Sequence, residues 1–218
     1  MCKHDLFSSL IPVHLSKGSL FFAIWIALFA GVVFGLATAS AQPSMFDVYI
    51  DVGTYDGTWA IAGTAAHSGI ESQIVSLPTG NYEFRLEDGT SRWFGFSVDG
   101  AGNITTSSSN RGIGGDHLLT LNIHQITIDP GVYTGEWSVG GPVGGTFSGK
   151  HSLYLFAEQH ILTLEDGTNR WFYFTPDGTG NVTTNLSSRG IGGDHLLTLN
   201  IHRVTIDPGV YAGGWSLS

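Results

Sequence analysis

The chain has 218 residues, a net charge of −9 at pH 7 and only 12% charged residues, whereas 12% are aromatic. This composition excludes an intrinsically disordered chain, and an acidic chain with scattered arginines lacks the basic surface that binds nucleic acid or an anionic membrane. The only cysteine is Cys2, which excludes disulfides and cysteine-based metal sites from the rest of the chain.

The first 41 residues predict a targeting segment. Lys3 and Lys17 precede an apolar run at 20–37, and Ala39-Ser40-Ala41 follows it. This order is typical of a secretory signal peptide that is cleaved after Ala41. The run is also long enough to stay in a bilayer as an anchor helix. Either alternative predicts that the rest of the chain is secreted or lies in the cell envelope, with membrane contact only through an uncleaved segment 1–41.

The remaining chain is built on a repeat of 78 residues. The stretch RGIGGDHLLTLNIH stands at 111–124 and again at 189–202. Over 86–138 aligned with 164–216, 40 of the 53 positions are identical. Similarity at a fixed period indicates that one structural unit is used again. We therefore predict a first β-repeat at 42–125 and a second at 126–203.

A third copy begins at Val204. The segment VTIDPGVYAGGW at 204–215 matches ITIDPGVYTGEW at 126–137. Two roles are open for this partial repeat, 204–218. It either caps the sheet of the second repeat or pairs with the edge of another copy of the chain, which would give a filament.

Short runs of β-branched and aromatic residues, separated by Gly and Pro, predict about seven strands per repeat and no helix. In the first repeat the predicted strands are 48–51, 55–61, 73–77, 82–87, 92–98, 103–106 and 118–128. The predicted fold is all-β, with two tandem repeats in a sandwich or barrel-like arrangement.

The tight turn EDGT at 87–90 leaves two hairpin registers open. A two-residue loop pairs Phe84 with Trp93 and places both on one face of the sheet. A three-residue loop with a bulge instead places Phe94 and Phe96 on the face of Phe84 and turns Trp93 outward. We favour the second register because it groups the purely apolar rings. The corresponding residues of the second repeat are Phe172 and Phe174, with Trp171 and Tyr173 on the opposite face.

The apolar alternation changes phase beside His124. A strand cannot change phase without a bulge, a bend or a change of sheet. We therefore predict a sandwich corner or a crossing between repeats at this point, with the glycines at 112–115 allowing a turn. The apolar residues in odd and then in even phase are Leu119, Leu121 and Ile123, then Ile126 and Ile128.

Asp116, His117 and His124 carry the most evident chemistry. Imidazole and carboxylate groups can bind zinc or exchange a proton, which would make this stretch the site of a small metal-dependent enzyme. On one extended strand His117 and His124 would face opposite sides, so the alternative is that they make structural hydrogen bonds. The second repeat has the same set as Asp194, His195 and His202.

The loops DGAGN and DGTGN are candidate calcium sites through Asp99, Asn103, Asp177 and Asn181. Calcium takes six to eight oxygen ligands, and each loop offers two side chains plus carbonyls. The alternative is a hairpin turn in which Gly and Asn adopt positive φ. We expect no other cofactor.

Three aromatic side chains, if they point outward, could stack on sugar rings. These are Trp93, Trp171 and Tyr173. The adjacent Arg92 and Arg170, like Arg111 and Arg189, either bind an anionic ligand or pair with nearby acids such as Glu87 and Glu165.

The sequence therefore predicts an exported, non-enzymatic structural or adhesive protein of the cell envelope or extracellular matrix. Its expected partner is a second copy, joined through the terminal strands, or an extracellular glycan. The alternatives are a carbohydrate-binding module that uses Trp93, Trp171 and Tyr173, and the small metal-dependent enzyme at Asp116, His117 and His124.

Overall fold

The computed structural model describes residues 42–205 except 91 and 142, together with residues 207, 209, 210 and 213. The predicted signal peptide or anchor and most of the partial third repeat lie outside the described residues. No helix in the described part is long and apolar enough to cross a membrane. All regular structure there is β-strand, which confirms the all-β prediction.

The described residues form eighteen strands, which we divide into a first module (β1–β9) and a second module (β10–β18). The strands of the first module are β1 (Met45–Asp51), β2 (Trp59–Gly63), β3 (His67–Gly69), β4 (Gln73–Pro78), β5 (Gly80–Leu86), β6 (Trp93–Val98), β7 (Ile104–Thr106), β8 (Gly112–Gly115) and β9 (Leu118–Leu121). The strands of the second module are β10 (Ile123–Asp129), β11 (Glu136–Val139), β12 (Thr146–Ser148), β13 (His151–Phe156), β14 (His160–Leu164), β15 (Arg170–Pro176), β16 (Val182–Thr184), β17 (Gly190–Gly193) and β18 (Leu196–Leu199).

Each module consists of a four-stranded and a five-stranded sheet with the same strand order in both modules. The four-stranded sheets have the orders β4-β1-β9-β8 and β13-β10-β18-β17, and the five-stranded sheets have the orders β3-β2-β5-β6-β7 and β12-β11-β14-β15-β16. The five-stranded sheets are antiparallel throughout. Each four-stranded sheet contains one parallel pair, β1 with β9 or β10 with β18.

The inward faces of the two sheets share one core in each module, so each module is a β-sandwich. In the first core, Val48 and Ile50 of the four-stranded sheet are fully buried, as is Trp59 of the five-stranded sheet. The Trp59 ring stacks on Phe84 with centroids 5.5 Å apart. The indole Nε1 of Trp59 donates to the Glu71 carbonyl at 3.2 Å, so the one polar group of this buried side chain has a hydrogen-bond partner.

The hairpin of β5 and β6 adopts the register that turns Trp93 outward. Phe84 lies opposite Phe94, and Arg85 lies opposite Trp93. Phe94 and Phe96 are buried, whereas the Trp93 side chain is 51% exposed. The favoured register is thus confirmed, because it alone places the purely apolar rings in the core.

The change of phase beside His124 is a change of sheet. β9 pairs with β8 and β1, whereas β10 pairs with β13 and β18. Leu121 and Ile123 pack in the first core, and Ile126 packs in the second. Asn122, the single residue between β9 and β10, is buried, and its Nδ2 donates to the Ser109 carbonyl at 3.1 Å. The predicted crossing is confirmed.

The glycine stretch at 112–115 is a strand rather than a turn, so the prediction of a turn there was wrong. β8 pairs with β9, and its other side lies so close to β7 that a Cβ at Gly114 would collide with the Ile104 carbonyl oxygen. Glycine is therefore required for close backbone approach. The turn comes after it, where His117 has a φ of 53°.

Gly114→Ala should lower the free energy of unfolding by about 2 kcal/mol or more, because the added methyl group meets backbone that cannot move aside. The matched control is Gly115→Ala, where the nearest atom is the Leu118 Cβ at 3.8 Å, and its effect should stay within about 0.5 kcal/mol. Urea denaturation followed by tryptophan fluorescence measures both. Equal effects would contradict the close approach of β7 and β8.

Candidate functional site

The second module inserts a phenylalanine into the first. Phe156, at the end of β13, is 1% exposed and belongs to the core of the first module, whereas Leu155 packs in the core of the second. Phe94 meets the Phe156 ring edge-on, with centroids 6.2 Å apart. The guanidinium carbons of Arg92 and Arg111 lie 5.9 and 5.6 Å from the ring centroid. Burial and two cation–π contacts therefore hold the same ring.

Polar contacts on both sides of Phe156 hold the segment that carries it. The backbone N–H of Ala157 donates to the Asn122 carbonyl at 3.1 Å. Arg111 binds the Glu158 carboxylate with two nitrogens, Nε at 2.8 Å and Nη2 at 3.0 Å. Arg92 donates through Nη1 to the Tyr154 carbonyl. Paired donors on a carboxylate give geometric specificity as well as attraction.

His160 fixes the end of this segment from the second module. It is 4% exposed, and burial lowers the pKa of its imidazole. The neutral ring donates its Nε2–H to the Phe156 carbonyl at 3.0 Å. The carbonyl of the inserted residue is therefore bound as well as its side chain.

The corresponding place in the second module is an open cavity of about 200 Å³, which we call the second-module pocket. Its apolar lining includes Leu164, Phe172 and Leu199. Its polar lining residues Arg170, Arg189 and Asn200 stand 78 residues after Arg92, Arg111 and Asn122, the residues that bind the Phe156 segment. The two modules therefore present the same binding groups, and one set is already occupied by chain.

The arginines of the second-module pocket are held in place without a ligand. Arg170 donates through Nε to the Thr168 hydroxyl at 2.8 Å and through Nη2 to Asp166. Hydrogen bonds from Thr168 and Arg170 lower the pKa of Asp166 to about 2, so this carboxylate stays ionised. Arg189 donates through Nη1 to the Trp171 carbonyl.

Within the described part of the chain, three groups in the second-module pocket lack the partner that their first-module counterparts have. Among the described residues, no carboxylate pairs with Arg189, no carbonyl accepts from Nη1 of Arg170, and no N–H donates to the Asn200 carbonyl. Arg170 accordingly has a 45% exposed side chain, whereas Arg92 is only 5% exposed. The pocket therefore offers a ligand the paired donors of Arg189, a single donor on Arg170 and an acceptor on the Asn200 carbonyl. Their counterparts in the first module show how such groups bind a polypeptide segment.

The predicted aromatic ligand residues lie on two surfaces. Trp93 stands on the outer face of the first module, beside Arg85 on the neighbouring strand. Trp171 is 37% exposed and lines the second-module pocket. Its ring meets Tyr173 edge-on at 5.3 Å. Arg92 is not free for a ligand, because Asp88 and the Tyr154 carbonyl occupy it, whereas Arg170 lines the pocket.

The expected pairing of the arginines with Glu87 and Glu165 is not the one that forms. Arg92 pairs with Asp88 and Arg170 pairs with Asp166, four residues earlier on the same hairpin. Arg111 instead reaches Glu158 in the other module. The turn sequence places the Asp, not the Glu, within reach of the guanidinium.

The candidate calcium loops use their side-chain oxygens within the turn. Asp99 Oδ1 accepts the backbone N–H groups of Ala101 and Asn103 at 2.8 and 2.9 Å, and Oδ2 accepts the Asn103 amide at 2.9 Å. Hydrogen bonds from Asn103 and from the backbone lower the pKa of Asp99. The second loop repeats this, with Asp177 Oδ1 accepting the N–H groups of Thr179 and Asn181.

Asp116 and His117 form an exposed turn beside the Asp99 loop. His117 Nδ1 lies 2.6 Å from Asp116 Oδ1, and Asn103 bridges to Asp116. His117 and His124 are not brought together. In the second module Asp194 and His195 form the same 2.6 Å contact.

His124 instead meets His195, with ring centroids 5.8 Å apart. Burial and the neighbouring His195 lower the pKa of His124, and its Nε2 lies 3.2 Å from Asn122 Oδ1. His202 lines the second-module pocket. In the described part of the chain, no three His, Cys, Asp or Glu side chains cluster closely enough to hold a metal ion.

Sequence reasoning missed Phe156, Glu158 and Asn122. A signal was present, because the repeats differ where the inserted segment lies. Residues 154–158 read YLFAE, whereas 76–80 read SLPTG, although the arginines and Asn122 are identical in both repeats. The segment that binds the first-module pocket is therefore not itself repeated, although the residues that bind it are.

Comparison with known proteins adds no family. No protein-family model matches the chain, and no curated protein matches it. Among solved structures, the chain is similar to the pilus adhesin SpaC from Lactobacillus rhamnosus GG, with 11% sequence identity and a TM-score of 0.26. The match covers 71% of this chain and 30% of the adhesin.

Arg111→Ala should lower the free energy of unfolding by about 1–2 kcal/mol more than its counterpart Arg189→Ala. Both substitutions remove a hydrogen bond to a tryptophan carbonyl, but only the first removes the bonds to Glu158 and the contact with Phe156. Urea denaturation of the two variants measures the difference. Equal losses would show that the joint between modules does not depend on Arg111.

Proposed function

We propose that the chain is an exported, non-enzymatic structural or adhesive protein of the cell envelope or the extracellular matrix, built from tandem β-repeats that join end to end. The observation that carries this proposal is the joint itself, in which Phe156 and Glu158 of one module fill a pocket of the other. A pocket that binds the backbone, an aromatic ring and a carboxylate of a polypeptide segment is suited to attaching one folded unit to another.

The second-module pocket supports the same proposal. It repeats the binding groups of the joint in the second module, and its arginines are already positioned by hydrogen bonds within the chain. Positioned groups lose little conformational freedom on binding, which favours affinity. The protein would therefore attach through this pocket to a component of its surroundings.

Fluorescently labelled full-length chain should be retained by envelope or matrix preparations from the producing cells, in a saturable manner. Arg189→Ala should weaken retention about tenfold, because it removes the paired donors. Lys150→Ala is the matched control, since it removes one positive charge at a side chain that is 61% exposed and outside the pocket. Absence of retention would contradict the proposal. Filaments of the purified chain in electron micrographs would show instead that the chain assembles with itself.

Carbohydrate binding is a second candidate function, and the exposure of the predicted aromatic residues favours it. Trp93 is 51% exposed on a sheet face, and Trp171 and Tyr173 form a pair of rings in the second module. Flat aromatic side chains on a sheet face suit the apolar face of a sugar ring.

A glycan array tests this second function. Wild-type chain should bind at least one glycan class, and Trp93→Ala combined with Trp171→Ala should abolish that binding without loss of folding. Ile74→Ala, at another apolar side chain that is 67% exposed, is the control and should bind normally. Absence of binding by the wild type would end the carbohydrate proposal.

A further inference from the structure

We propose that the second-module pocket binds an extended polypeptide segment of a partner protein, with an aromatic residue followed two positions later by a carboxylate residue. The inference rests on the proposed function and names the chemistry of its ligand. The template is within the chain, because Phe156, Ala157 and Glu158 occupy the equivalent pocket of the first module.

The aromatic position follows from the apolar lining. Phe156 lies against Phe94 and beneath the Arg92 and Arg111 guanidinium groups. In the second module, Phe172, Arg170 and Arg189 stand at the same positions and line the cavity. A cavity of about 200 Å³ is large enough for an aromatic side chain. A guanidinium attracts a ring face and repels a cation, so a Lys or Arg at this position is excluded.

The carboxylate position follows from Arg189. Its counterpart Arg111 binds both oxygens of Glu158, at 2.8 and 3.0 Å, with Nε and Nη2. Arg189 has its Nη1 on the Trp171 carbonyl, as Arg111 has its Nη1 on that of Trp93, so the same two nitrogens point to the same place. A carboxylate suits this planar pair of donors.

The backbone of the ligand is defined by two further groups. The Asn200 carbonyl corresponds to the acceptor for the Ala157 N–H, and Nη1 of Arg170 corresponds to the donor to the Tyr154 carbonyl. In the joint, Ile123 lies opposite Phe156, and β13 runs antiparallel to β10. Ile201, the counterpart of Ile123, lies in the described segment 201–205, which belongs to no strand. The ligand would therefore add to this segment as an antiparallel strand.

The partner is a different protein rather than the first module of a second copy. At the positions of Phe156 and Glu158, the first module has Pro78 and Gly80, which offer neither a ring for the arginines nor a carboxylate for Arg189. The segment 154–158 of a second copy is already bound within that copy. Neither part of another copy matches the pocket without unfolding the joint.

The test is a titration of the full-length chain with a fluorescein-labelled peptide of residues 152–160, SLYLFAEQH, followed by anisotropy and, up to millimolar peptide, by NMR. One peptide should bind per chain. Peptides with Phe156→Ala or Glu158→Gln, and the chain variant Arg189→Ala, should each weaken binding about tenfold or more. Lys150→Ala should bind like the wild type.

Binding with equal affinity to all peptides or unchanged by Arg189→Ala would overturn the inference, and so would two peptides per chain. If no peptide binds but the envelope preparation still retains the chain through Arg189, the ligand chemistry is wrong and the proposed function stands. If neither binds, both are overturned.

Discussion

The insertion of Phe156 into the first module is the contact on which the rest of the arrangement depends. One aromatic ring joins two hydrophobic cores, because β13 is shared between them: Leu155 faces one core and Phe156 faces the other. The ring alone would supply only burial. The hydrogen bonds of Asn122, Arg92 and Arg111 to the flanking backbone and to Glu158 add direction, so the second module can dock in one orientation. Directional contacts around a buried ring are typical of well-defined interfaces.

The second-module pocket is the same arrangement of binding groups, and no described residue of the chain takes the place that Phe156 has in the first module. Both modules present a pair of arginines, each braced by its own chain through a Thr–Asp turn or a tryptophan carbonyl. Bracing matters because long arginine side chains otherwise lose conformational entropy when they bind. The pocket is thus prepared before its ligand arrives, and its partly exposed Trp171 marks the opening.

The residues with the most evident chemistry stabilise turns and make packing contacts within a module. The carboxylates of Asp99 and Asp177 cap their own loops, and the imidazole of His117 pairs with the adjacent Asp116. His124 packs against His195 within the second module, beside the paired strands β10 and β18, and burial together with the neighbouring His195 lowers the pKa of His124. Their recurrence with a 78-residue period reflects the recurrence of the same turns.

Local pattern was enough to predict the all-β fold, the outward turn of Trp93 and the change of sheet near His124. Each of these depends on side-chain alternation along a single strand or hairpin, which the order of residues records directly. The parallel pairing of β1 with β9 and the role of Arg111 depended on partners far away in the chain. The strand character of Gly112–Gly115 was missed although its partner β9 follows closely, because its glycines do not show the apolar alternation of a strand. Identical stretches at 111–124 and 189–202 also have different surroundings. Arg111 meets Glu158, whereas no described carboxylate meets Arg189, because what fills a pocket depends on the neighbouring module and not on the residues that line it.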